Sequence, residues 1–117
     1  MSVAKLNRSK KVLKTAENET GNGTGDFILK TKYAKTIEIW VDVTAITSSP
    51  TLVVTLESSN NSFTTQIDVG SISGITGISV NSANFNAADH PLGEEVQVTW
   101  TLSGGTANFG VDAIIGE

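Results

Sequence analysis

The stretch VQVTWTLSGGTANFGVDAIIGE, residues 96–117, decides the fold class. Apolar residues occupy every second position: Val96, Val98, Trp100 and Leu102 before Ser103-Gly104-Gly105-Thr106, then Ala107, Phe109, Val111 and Ala113 after it. A period of two belongs to a strand with one buried face. Two glycines between such runs supply the positive φ of a tight hairpin turn without steric cost. The spacing predicts a hairpin pairing Leu102 with Ala107, Trp100 with Phe109, Val98 with Val111 and Val96 with Ala113. A slip of one residue would break all four pairs.

The same alternation recurs upstream. IEIWVDVTAI, residues 37–46, puts Ile37, Ile39, Val41 and Val43 on one face and Glu38, Trp40 and Asp42 on the other. TLVVTLES, residues 51–58, puts Leu52, Val54 and Leu56 inward. A turn through Thr47-Ser48-Ser49-Pro50 would join them, with Val43 facing Val54 and Val41 facing Leu56. Ser59-Asn60-Asn61-Ser62 is a turn by composition and predicts a third meander strand at 63–69. About eight strands follow: 11–16, 26–32, 35–46, 51–58, 63–69, 75–80, 94–103 and 106–115. Residues 81–94 read as the longest loop, pinned by Phe85. The expected fold is all-β, a single antiparallel β-sandwich of about eight strands, either jelly roll or immunoglobulin-like, with an extended basic N-terminal arm. Residues 1–25 are the arm and a glycine-rich linker; residues 26–117 are the sandwich.

Composition agrees. Thr (15), Ser (12) and Asn (9), with 21 Val and Ile, dominate the 117 residues. This favours strands and turns over helices. The length suits one domain. With no cysteine there is no disulfide, thiolate metal site or cysteine nucleophile. His90 is the only imidazole and precedes Pro91 in a loop, so it is expected to be incidental rather than a general base. Glu94 and Glu95 are adjacent on a strand and would point to opposite faces, which disqualifies them as a hydrolytic pair. GNGTGD, residues 21–26, lacks the Lys-Ser/Thr of a phosphate loop and departs from the glycine calcium repeat, so it reads as a linker. The inventory points away from an enzyme, a cofactor or a metal site. The sequons at Asn7, Asn18, Asn22 and Asn60 are what chance gives in such a composition. No secretion signal or membrane span is legible, so a soluble protein made in a cytoplasm is expected.

The net charge of −4 is unevenly spread. All eight basic residues fall in the first 35, which carry +5, while residues 36–117 carry −9. The basic start, with Lys5, Arg8, Lys10, Lys11 and Lys14, admits three readings: a solvated tail, an arm docked on an acidic neighbour, or a phosphate-binding segment. The absence of interleaved aromatics and the acidic body disfavour nucleic acid, and docking is preferred. Trp40, outward between two acids, would cover the basic segment or another subunit, or form a sugar-stacking patch with Glu38 and Asp42.

Two stretches, residues 40–66 and 96–117, resemble small all-β virion proteins of tailed bacteriophages, and within that group capsid decoration (cement) proteins. The likeness rests on a strand of alternating Val and Asp, a Ser-Pro-Thr turn, a serine-rich hairpin and a terminal strand ending in a Gly-Gly hairpin. It implies a non-enzymatic protein on the outer surface of an assembled head, a homotrimer whose partner is the major capsid protein, with no nucleic acid, membrane or cofactor. Partner contacts would fall on Lys5, Arg8, Lys10, Lys11, Lys14 and Trp40. A tail or head-fibre protein, or a carbohydrate- or receptor-binding module, fits the same residues.

Overall fold

Two very long strands organise the molecule. In the computed structural model, which describes residues 8–90 and 92–116, the strands are β1 (Arg8–Glu19), β2 (Gly23–Thr24), β3 (Leu29–Lys30), β4 (Thr36–Ser59), β5 (Ile67–Ile75), β6 (Ser79–Asn86) and β7 (Glu95–Gly116). β4 and β7 pair antiparallel from Thr36 opposite Gly116 to Ser59 opposite Glu95. Both bend midway, where the register shifts between Ser48 and Thr51. Two residues of β4, Ser49 and Pro50, there span the place of Gly104 alone, the geometry of a bulge. Pro50 fits because a bulge needs no ladder N–H. Ser48 (φ 60°) and Gly104 (φ 79°) complete the corner. A second shift, between Val43 and Ala45, leaves Thr44 unpaired in the ladder, and its hydroxyl bonds to Asn108 Oδ1 at 3.2 Å.

The bend folds one sheet into two layers. In the first, β1 pairs with the second arm of β7 (107–116), which pairs with the first arm of β4 (36–46), which pairs with β6. In the second, β2 and β3 pair with the first arm of β7 (95–103), then the second arm of β4 (51–59), then β5. Counting β2–β3 as one interrupted strand and each arm separately gives eight segments. In chain order the layers read 1-8-3-6 and 2-7-4-5. This is a jelly roll, which decides against immunoglobulin-like connectivity. Ile37, Ile39, Val41, Val43, Leu52, Val54, Leu56, Val96, Val98, Trp100, Leu102, Phe109, Val111 and Ala113 fill the space between the layers.

The all-β sandwich stands, but its connections differ from those expected. Residues 103–106 are not a hairpin turn, and Leu102 does not pair with Ala107; Leu102 opposes Leu52 and Ala107 opposes Ile46. Residues 47–50 likewise bend a continuing strand. A period of two names the buried face but not the partner, and long pairing between β4 and β7 satisfies both ladders at once. The strand expected at 63–69 begins at Ile67, and Val54 opposes Ile72. The strand expected at 75–80 is divided, Ile75 closing β5 and Ser79 opening β6, and β6 runs on through 81–86, the first part of the expected loop, with Phe85 buried on it opposite Ile37.

From Arg8 onward, the residues expected as arm and linker are built into the sandwich. β1 pairs with Ala107–Gly116 and β2 with Thr99–Trp100. The glycine-rich run lies over the Trp100 indole, whose Nε1 donates to the Gly21 carbonyl at 2.9 Å. A Cβ on Gly23 would sit 2.4 Å from that ring, so only glycine lets the backbone pass. Asn22 Oδ1 accepts from the Leu102 amide, and Asp26 Oδ2 from the Thr15 amide. These bonds tether the segment.

Candidate functional site

The outward faces of the two layers differ. On the β5 side, polar groups bond to one another across strands. Thr55 and Ser71 hydroxyls are 2.8 Å apart, and Gln97 Nε2 donates to Glu57 Oε1 at 3.0 Å. On the β1 side, Trp40 stands at the centre of the layer, opposite Asp112 on β7 and Ser82 on β6. It is 38% exposed although its strand is central. Its indole Nε1 donates to Glu38 Oε1, which fixes the ring.

Strand register brings further groups to the indole. Val12 on β1 opposes Asp112, Lys10 opposes Ile114, and Val80 on β6 opposes Asp42. Lys10 Nζ lies 3.5 Å from Asp112 Oδ2. Lys10, Trp40, Asp42, Val80, Asp112 and Ile114 line a shallow depression of about 260 Å³. Val12 (43% exposed) and Val80 (60% exposed) extend its apolar margin. Sequence reasoning singled out Trp40, Glu38, Asp42 and Lys10 here. It missed Asp112, Val80, Val12 and Ile114, because only the register places them beside the indole.

The basic residues expected to bind a partner are not equivalent. Lys5 lies outside the described residues. Arg8 opens β1 opposite Gly116. Lys10 and Lys11 are exposed on this edge strand. Lys14 is a correction: its side chain is wholly buried. Its ammonium donates to the Phe109 carbonyl at 2.8 Å and to that of Thr15 at 3.1 Å. It lies 3.2 Å from Glu19 Oε2, and 4.2 and 5.1 Å from the ring centroids of Phe109 and Trp100. Register shifts in β1 between Val12 and Lys14 and between Lys14 and Glu17 break the alternation. Leu13 and Lys14 are therefore both buried, and the lysine's charge is satisfied within the fold.

The acidic pair separates as the alternation predicts. Glu94 is exposed and Glu95 buried. Glu95 Oε2 accepts from Lys30 Nζ at 2.9 Å, and Oε1 from the Ser62 amide at 3.1 Å. The Lys30 hydrogen bond is the largest influence holding this carboxyl below the usual range, outweighing partial desolvation. The amide bond helps anchor a strained turn in which Ser62 and Phe63 both have positive φ. His90 packs edge to face on Phe85, with centroids 5.2 Å apart. Among the described residues, no group of three or more His, Asp or Glu is placed to hold a metal ion.

No family model matches the chain, and no curated protein does. Solved structures do. The SPBc2 prophage-derived protein YomS superposes with a TM-score of 0.60 at 9% identity, covering 100% of this chain and 99% of that one. A chain in the structure of infectious bursal disease virus, Gx strain, superposes with a TM-score of 0.55 at 10% identity, covering 96% of this chain. This chain spans 32% of that one's length. The class so defined is the jelly roll, shared end to end with a prophage-derived protein and in part with a chain of a virus.

Proposed function

We propose that the chain is a non-enzymatic structural protein of a phage virion, a decoration protein that binds the outer surface of the assembled head and stabilises contacts between major capsid subunits. The observation that carries this reading is the end-to-end match of its jelly roll to a prophage-derived protein. The likeness to part of a chain in a virus structure supports it, as does the use of this architecture in viral capsid domains. The resemblance of residues 40–66 and 96–117 to decoration proteins supplies the finer assignment.

Attachment in this reading uses Lys5 before β1, with Arg8 and Lys11 on β1, against acidic groups of the shell. A ligand that binds the assembled shell and not its free subunits stabilises the shell by mass action. Trimeric clustering would add weak contacts by multivalency. The test uses heads that lack the protein, prepared from the virus whose genome carries the gene. The expected result is co-sedimentation with those heads, a raised rupture temperature, weakening of both on deleting residues 1–7, and their loss when Arg8→Glu and Lys11→Glu are added. Absence of co-sedimentation, or binding to tails instead, would overturn the assignment.

A further inference from the structure

We propose that the depression around Trp40 is a binding site for neutral pyranose sugars, a function separate from attachment to a shell. Three features of the site converge on that chemistry. The first is the indole. It is exposed at the middle of a sheet face, and its orientation is held by the bond from Nε1 to Glu38. A fixed aromatic plate loses little entropy on binding and offers its face to the C–H bonds of a sugar ring.

The second is the surrounding polarity. Asp42 follows Trp40 by two positions on the same strand face, and Asp112 sits directly opposite Trp40. Each carboxylate can accept a pair of hydroxyl hydrogens. The Lys10 ammonium, beside Asp112, supplies a donor. Val80, opposite Asp42, and Ile114, opposite Lys10, line the same depression and add apolar surface beside these groups. Stacking surface flanked by planar acceptors and one donor matches a molecule with an apolar ring face and a hydroxyl rim.

The third is size and charge. About 260 Å³ lies just below the ~300–1,000 Å³ of drug-sized pockets, room for the terminal sugar of a glycan. Three carboxylates against one lysine disfavour sialic and uronic acids, so the ligand is a neutral sugar. The same ring of charge disfavours a protein partner. Interface cores are depleted in charged residues, and removing these groups from water under a protein surface is costly. Sugar hydroxyls satisfy them while leaving them partly hydrated.

The experiment applies the purified full-length protein to an array of neutral and acidic glycans, with saturation-transfer NMR on the sugars retained. Trp40→Ala and Asp112→Asn variants are run beside it, with circular dichroism to confirm their fold. The expected result is binding of neutral glycans with Kd on the order of 1 mM or tighter, weakened at least about tenfold by Trp40→Ala. Failure of the wild type to bind any glycan overturns the proposal. So does binding that Trp40→Ala leaves unchanged, or binding confined to acidic glycans. Sedimentation velocity on the same samples covers the remaining occupant: self-association abolished by Trp40→Ala, without glycan binding, would make the face a contact between copies and also overturn it. None of these readouts requires a shell, so they are independent of the head-binding test.

Discussion

Trp100 and Phe109 lie on one strand, yet their rings meet edge to face across the core, with centroids 5.4 Å apart and planes at 89°. They meet because β7 bends at Gly104 and its two arms face each other from opposite layers. Edge-to-face pairs are favoured over stacked sandwiches, and the Lys14 ammonium sits against both rings. One contact thus joins β1, both arms of β7 and both layers.

The bend depends on Gly104. At φ 79° a side chain is strained, and a Cβ there would stand 2.8 Å from the Ser49 carbonyl oxygen on the facing strand. Gly104→Val is expected to destabilise the fold by about 1–3 kcal/mol, read as a lower urea midpoint with unchanged slope. An unchanged midpoint would mean that the corner tolerates a side chain and that something else sets the bend.

Lys14 separates a structural from a binding role. Lys14→Met keeps a long apolar stem against Phe109 and Trp100 but loses the bonds to Phe109, Thr15 and Glu19; Lys14→Ala also opens a cavity. Losing one partner of a buried pair costs about 3–5 kcal/mol, and Glu19 is exposed enough to recover some hydration. Lys14→Ala is therefore expected to cost about 2–4 kcal/mol by chemical denaturation, and Lys14→Met less. Once folded, either variant is expected to co-sediment with heads like the wild type. A specific loss of attachment would restore the partner role read from the sequence.

Much of this fold was legible. The inward rows Ile37–Val43, Leu52–Leu56, Val96–Leu102 and Ala107–Ala113 follow from alternation alone, and the Trp100–Phe109 contact was anticipated, though for the wrong reason. Whether Ser-Gly-Gly-Thr reverses the chain or only bends it depends on which ladder the flanking residues join. That is a long-range choice between β4 and a local hairpin, and both leave the same faces buried. Only the start of β6 fell within the strand expected at 75–80; the rest escaped because NSANFN is rich in residues that strands avoid, and what places it is the long-range ladder from Thr36 opposite Asn86 to Val43 opposite Ser79. Lys14 escaped because a bulge is invisible in the pattern. The Trp40 site was half visible: Glu38, Trp40 and Asp42 share a strand, whereas Asp112 and Val80 reach it only through the register.

Glu95 gives the fold a pH signature. Lys30 holds its carboxyl below the ordinary value near 4.5, so the ionised form is favoured in the folded state. The resulting stability is present above the unfolded pKa and is lost as pH falls through the lower folded value. Glu95→Gln retains an acceptor for the Ser62 amide but abolishes the ion pair. It is expected to be less stable than wild type at pH 7, with the gap narrowing as pH falls below roughly 4. Urea midpoints at pH 7 and pH 3 measure this. A gap that stays constant would remove the charge on Glu95 as its cause.

The two tryptophans test whether the outer face is dispensable for folding, as a binding surface should be. Trp100 is buried, packed edge to face on Phe109 and bonded to Gly21. Trp100→Ala removes both packing and the tether of the glycine-rich segment, and is expected to cost about 3–5 kcal/mol. Trp40 covers no part of the interlayer core, and its bond to Glu38 is at the surface. Trp40→Ala is expected to change stability by less than about 1 kcal/mol. Paired thermal melts decide it. A large loss in Trp40→Ala would mean that the indole is there to shield the strands beneath it, and its exposure would no longer argue for a ligand.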